Sequence, residues 1–167
     1  KKTIEEQIEI FSSVGFESFF LSSGVTSEFE KIPMWSKFAK CRGIEFEAVH
    51  APSNGVDFVW DSLEKGAVYK KSIEKIIDYC SVGEISKIVI HVGTDSKKQV
   101  TLAGLEFWKN LEVYAEKRGV IICYENANTP LLFEEVVKNS ACFHGVCHDV
   151  GHQMCYTPDK NYLEMFA

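Results

Sequence analysis

Lys87-Ile88-Val89-Ile90-His91-Val92-Gly93 is the stretch on which the reading of the fold turns. Its β-branched run points to a strand buried on both faces, as parallel sheets require, and it stops at a histidine followed by glycine. Val120-Ile121-Ile122-Cys123-Tyr124-Glu125-Asn126 has the same shape, and so does Ile44-Glu45-Phe46-Glu47-Ala48-Val49-His50. A Phe-rich run from Phe16 to Leu21 ends on Ser22-Ser23-Gly24. A last run, Ala141-Cys142-Phe143-His144-Gly145-Val146, leads to Cys147-His148-Asp149-Val150-Gly151-His152. Four of five expected strand ends therefore carry an ionisable group: His50, His91, Glu125 and Asp149, with His152 just beyond.

Helical patterns separate these runs. Apolar residues at Ile4, Ile8, Phe11 and Val14 predict a helix over Thr3 to Val14, and Gly15 stands where it would stop. A second helix is expected from Glu28 to Lys40, with Pro33 near its start, and a third from about Ala67 along Val68, Ile73, Ile76, Ile77 and Cys80. Leu102 to Arg118 is a fourth. Thr129, as N-cap, and Pro130 open a fifth. One more is expected to begin at Asp159. Ser53 to Gly66 lacks a clear period and reads as a long functional loop or lid.

This order is a helix followed by five βα repeats, which two architectures can satisfy: an open doubly wound sheet or a (β/α)8 TIM barrel. No G-x-G-x-x-G follows any strand, so the nucleotide fingerprint of the open sheet is absent. A barrel also explains why ionisable groups recur at carboxyl ends, since it gathers those ends into one site. Eight strands typically need about 250 residues, and this chain has 167. The expectation is an incomplete segment of about five parallel strands, spanning 1–167 and lacking the first strand and the last two.

Composition sets the outer bounds. Hydrophobic residues are 46% and charged residues 25%, as in an ordinary globular domain, and no apolar run reaches a membrane span. No leader is visible, although the chain opens on Lys1 rather than Met. A net charge of -6 argues against holding nucleic acid by phosphate neutralisation and leaves cations and neutral polyols as partners. Six cysteines without a C-x-x-C pair read as reduced, mostly buried thiols of a cytoplasmic protein. Cys142, His144, Cys147, His148, His152 and Cys155 superficially suggest zinc-finger ligands. Most lie on an expected strand, however, where alternate side chains point to opposite faces and cannot converge on one ion.

An ionisable side chain directly after a buried strand is expensive unless partnered, and imidazole with carboxylate is a donor set for a divalent metal. Val49-His50-Ala51-Pro52, Ile90-His91-Val92-Gly93, Tyr124-Glu125-Asn126 and His148-Asp149-Val150-Gly151-His152 together resemble the xylose-isomerase-like TIM barrels. That group includes sugar and sugar-phosphate isomerases and epimerases and the endonuclease IV enzymes of DNA repair. The resemblance implies a divalent metal (Zn, Mn, Mg or Co) with Glu125 and Asp149 as ligands in both branches. In the isomerase branch, Glu125 also serves in acid/base work, His152 meets substrate hydroxyls, and a His and a Glu on the missing strands complete the ligand set. In the endonuclease branch, His50, His91 and Glu125 hold one zinc, Glu125 and Asp149 a second, and His152 a third.

Net charge favours the sugar branch. So does the segment after His50, which has no basic residue before Lys65. The expected function is thus a metal-dependent isomerase or epimerase of a sugar, sugar phosphate or related polyol, with catalytic Glu125 and His152. The alternatives are the endonuclease and a barrel that only binds a ligand. Asn126, Phe58 and Trp60 are further candidate substrate contacts; Phe58 and Trp60 either wall the substrate or pack their loop onto the barrel rim.

Overall fold

The computed structural model describes residues 2–24, 27–140 and 144–165. Five strands make one sheet: β1 (Ser18–Ser22), β2 (Glu45–His50), β3 (Lys87–His91), β4 (Ile121–Glu125) and β5 (Gly145–Cys147). All neighbours are parallel and the order is β1-β2-β3-β4-β5. A doubly wound sheet reverses its direction of growth at a switch point. Here every crossover adds its strand beside the last, as in a (β/α)8 barrel.

The helices are α1 (Ile4–Ser13), α2 (Ile32–Lys40), α3 (Leu63–Val82), α4 (Leu102–Glu116), α5 (Pro130–Lys138), α6 (Val150–Tyr156) and α7 (Tyr162–Met165). At the start of α1, the Thr3 hydroxyl accepts from Glu6 N at 3.2 Å, and Thr3 N donates to Glu6 Oε2 at 2.8 Å. This reciprocal cap is worth about 1 kcal/mol. Gly15 follows the helix with φ +86°, a backbone conformation that glycine reaches without Cβ strain.

Register divides the strands into two faces. The pairs Val49↔Ile88, Ile88↔Ile122 and Ile90↔Tyr124 face the helices, and all of these side chains are at most 1% exposed. The pairs His50↔Val89, Val89↔Cys123 and Cys123↔Gly145 form one layer on the opposite face, with His91↔Glu125 and Glu125↔Cys147 the next layer towards the carboxyl ends. The expectation that β3 is buried on both faces is corrected. Its burial alternates, and Val89 and His91 are only half-buried, because no described element covers the second face of the sheet. Phe20, paired with Ala48 on that face, is 62% exposed.

Other boundaries move for local reasons. The segment after β2 is not structureless to Gly66: a 3-10 turn spans Val56–Trp60, and Ser62 caps α3 by accepting from Lys65 N at 3.2 Å. Thr129 precedes α5 as expected, but its hydroxyl donates to Gly93 O at 3.3 Å and does not cap the helix. The strand expected at 141–146 is Gly145–Cys147, with 141–143 outside the described residues. Gly151 lies in the first turn of α6. Among the described residues no helix is long and apolar enough to cross a membrane.

Candidate active site

The carboxyl ends of β2, β3 and β4 bring His50, His91 and Glu125 together, and the first turn of α6 adds Asp149 and His152. Glu125 is the hub. Its Oε2 lies 2.8 Å from His50 Nε2 and 2.7 Å from His91 Nε2, and its Oε1 lies 3.7 Å from His152 Nδ1. The His91 ring stands edge-on between those of His50 and His152, with centroids 5.0 and 5.5 Å away. Burial pushes the Glu125 carboxyl pKa up, but the two imidazoles against it more than offset this and hold it down to about 2. His50 is shifted the other way, raised chiefly by its hydrogen bond to Glu125 against the opposing effect of burial.

Backbone carbonyls orient two of the rings. His50 Nδ1–H donates to Ala51 O at 2.9 Å and His152 Nδ1–H to Asn126 O at 2.9 Å, which leaves Nε2 of each neutral ring as the lone-pair atom. A neutral His50 would aim that lone pair at the Glu125 carboxylate. The contact is favourable only with a cation between them, either a proton or a metal ion. Among the described residues the buried His91 Nε2 has no aligned hydrogen-bond partner, although it lies 2.7 Å from Glu125 Oε2.

Asp149 is the N-cap of α6. Its Oδ1 accepts from His152 N at 2.6 Å, which fixes the carboxylate, while Oδ2 lies 4.0 Å from His152 Nδ1. Asn126, 1% exposed, clamps the same residue. Its Nδ2 donates to Asp149 O at 2.8 Å and its Oδ1 accepts from Asp149 N at 2.7 Å.

Two triads result, His50/His91/Glu125 and Glu125/Asp149/His152, each with donor atoms within 4.8 Å of one another. The buried, unbonded His91 nitrogen and the mixed imidazole–carboxylate set fit a divalent transition metal better than an oxygen-only cage for Mg or Ca would. No cysteine joins either triad among the described residues. Burial raises the thiol pKa of Cys123, and that of Cys147 to about 11, so neither is a ready thiolate. Cys142 lies outside the described residues.

Trp60 does not face the cluster. It is 1% exposed, donates from Nε1 to Val92 O at 2.7 Å, and packs on Gly104 of α4, where a Cβ would come within 2.1 Å of the indole. It packs the loop after β2 into the helix layer. Phe58 stays on the surface, 55% exposed, beside Gly55. Asn126 reaches Asp149 with both ends of its amide. The sequence reading missed Asp57, whose Oδ1 accepts from Thr94 N at 2.8 Å and Asp95 N at 3.1 Å. These bonds tie the loop after β2 to the loop after β3 and so hold His50 and His91 in register. No spacing in the sequence marks an acid that bonds backbone almost forty residues away.

Neither a protein-family model nor a curated protein matches the sequence. Solved structures do match. A D-psicose 3-epimerase solved in the presence of D-fructose aligns with TM-score 0.75 at 17% identity, covering 96% of this chain and 62% of its own. A xylose isomerase domain protein from Planctomyces limnophilus aligns with TM-score 0.66 at 15% identity over 87% of this chain and 58% of its own. The 3-keto-D-glucoside 4-epimerase of E. coli gives 0.71 at 15% identity, over 98% and 69%. The fold is that of the xylose isomerase-like TIM barrels, and the chain spans about three-fifths of the first two structures.

Proposed function

We propose that this chain carries the metal-binding half of a divalent-metal-dependent sugar isomerase or epimerase. The observation that carries the reading is the buried Glu125 carboxylate, flanked by His50 and His91 on one side and by Asp149 and His152 on the other. The structural neighbours include a D-psicose 3-epimerase, a D-tagatose 3-epimerase-like protein and a 3-keto-D-glucoside 4-epimerase, and the net charge of -6 suits a neutral polyol better than a polyanion. In this reading the rest of the barrel, one strand before β1 and two after β5, supplies a further His and Glu.

Glu125 and Asp149 would hold the ion, with His50 and His91 as the imidazole donors nearest to Glu125. When bound, a divalent ion polarises a carbonyl and its neighbouring hydroxyl. His152, its Nδ1–H committed to Asn126 O, presents Nε2 as the atom that orients a substrate hydroxyl. Glu125 is the in-chain candidate to move a proton. A carboxylate held near pKa 2 is a weak base, so the second carboxylate expected beyond β5 shares that work.

A second reading follows from the three imidazoles around one carboxylate, a nitrogen-rich set suited to a zinc phosphodiesterase of the endonuclease IV kind. One assay separates the two. The full-length protein, loaded with Mn, Co or Zn, is given a panel of ketoses and, separately, duplex DNA with an abasic site. Turnover of a ketose that Glu125→Gln abolishes supports the isomerase; incision of the DNA that Glu125→Gln abolishes replaces it with the phosphodiesterase.

A further inference from the structure

A cavity of about 450 Å³ opens at the carboxyl-end rim between the loops after β3 and β4, and none of the five clustered residues lines it. Its wall includes Ser96, Lys98, Gln99, Asn128, Leu131 and Tyr156. The volume is that of a small-ligand site. It abuts the metal cluster: the Tyr156 ring packs 5.8 Å from that of His152, and Asn128 follows Glu125 by three residues.

The hydrogen-bonding groups of this wall are only partly used by the protein. Asn128 Nδ2 donates to Thr94 O at 2.7 Å and Gln99 Nε2 to Lys97 O at 3.3 Å, and among the described residues the amide oxygen of each has no partner. Among the same residues the hydroxyls of Ser96 and Tyr156 have none either. Two acceptors and two hydroxyls around one volume match a ligand whose groups both donate and accept, which is the chemistry of a polyol. The exposed faces of Tyr156 and Leu131, 53% and 67% exposed, offer an apolar platform for the C–H face of a sugar ring.

A phosphoryl group fits poorly. Among the described residues Lys98 is the one cation of the wall, and its ammonium is already 2.5 Å from Asp61 Oδ1. A phosphate would draw Lys98 from that carboxylate and, apart from the Ser96 and Tyr156 hydroxyls, would face two amide oxygens with no proton to give it.

We propose that this cavity is a subsite for a second, neutral, hydroxyl-rich unit joined to the one held at the metal, so that the substrate is a glycoside-like sugar and not a sugar phosphate. The assignment rests on the isomerase reading above and deepens it. Calorimetry on the full-length, Mn-loaded protein compares D-fructose, D-fructose 6-phosphate and 6-O-α-D-glucopyranosyl-D-fructose, the last two differing in what O6 carries. The glucosylated ketose is expected to bind about tenfold more tightly than fructose, the equivalent of one or two net hydrogen bonds, and the phosphate to gain nothing. Gln99→Leu, on the β3–α4 loop, and Tyr156→Ala, on α6, should each bring the ratio of the two affinities back towards one. A gain for the phosphate, no gain for the glucosyl unit, or a gain that survives both variants overturns the subsite while leaving the isomerase reading intact. Absence of any metal-dependent binding of D-fructose overturns that reading and the subsite together.

Discussion

His91 Nε2 lies 2.7 Å from Glu125 Oε2, buried, and yet not aimed to hydrogen-bond with it. A pair built only to neutralise a buried carboxylate would align nitrogen, proton and oxygen. This one is close without that alignment, as the proposed reading expects of two donors that face a common ion. His91→Asn is therefore expected to lower affinity for Zn or Co by about 10- to 100-fold with the fold retained, and Glu125→Gln by at least as much. Metal titration with circular dichroism as the folding control checks this; unchanged affinity in His91→Asn would remove Nε2 from the ligand set.

The metal-free protein should be most stable in mildly acid solution. Glu125, held at about pKa 2, contributes stability that is present above the ordinary carboxyl value of about 4.3 and lost as pH falls towards 2. His50, raised by Glu125, contributes stability that is complete below about 6.5 and lost as pH rises through its raised value. His91, His152, Asp149 and Cys147 also face this carboxylate. Chemical denaturation of apoprotein should show a maximum between about pH 4.5 and 6.5, with of order 3 kcal/mol lost on the acid side. Because a metal competes with the His50 proton, metal affinity should fall as pH drops through the same raised pKa. A flat apoprotein profile would break the proposed coupling.

Asn126 should act through Asp149 and His152 and not through substrate. Removing the amide in Asn126→Ala frees the Asp149 main chain on both sides, with an expected loss in metal affinity of about 10-fold or more. Absorption of the Co-loaded protein gives a second readout, because a shifted Asp149 changes the ligand field. An unchanged Co spectrum together with a raised KM alone would make Asn126 a substrate contact.

Gly104 should tolerate no side chain while Trp60 is present. A Cβ there meets three indole atoms at 2.1, 2.5 and 2.8 Å. Gly104→Ala should cost about 2 kcal/mol despite alanine's better helix propensity. In a Trp60→Leu background, that cost should shrink by at least about 1 kcal/mol; additivity of the two changes in urea melts would show that they do not share this contact.

The strands were legible because their apolar runs stand out between helical patterns, and His50, His91 and Glu125 because each closes such a run. The helix carrying Asp149 and His152 was not. Seven residues with Gly151 inside have too little periodicity, and its N-cap, Asp149, has the same residue type as a metal ligand. Trp60 and Phe58 were ambiguous for a related reason: an aromatic in a loop looks alike in sequence whether it lines a cleft or plugs a core. Only the space opposite Gly104 decides it for Trp60. Asp57 and the amide of Asn126 work through backbone groups, which carry no residue identity to read.

Because the sheet grows in one direction, with His50, His91 and Glu125 each ending a separate strand, insertions and deletions should strike the site one ligand at a time. A residue deleted within β3 would move His91 into the place of Ile90, which is fully buried against the helices, and empty one corner of the cluster. The same deletion in the turn between α3 and β3 would be taken up there, leaving all five donors in place. Such a scaffold can lose its donors one at a time, each step keeping the core.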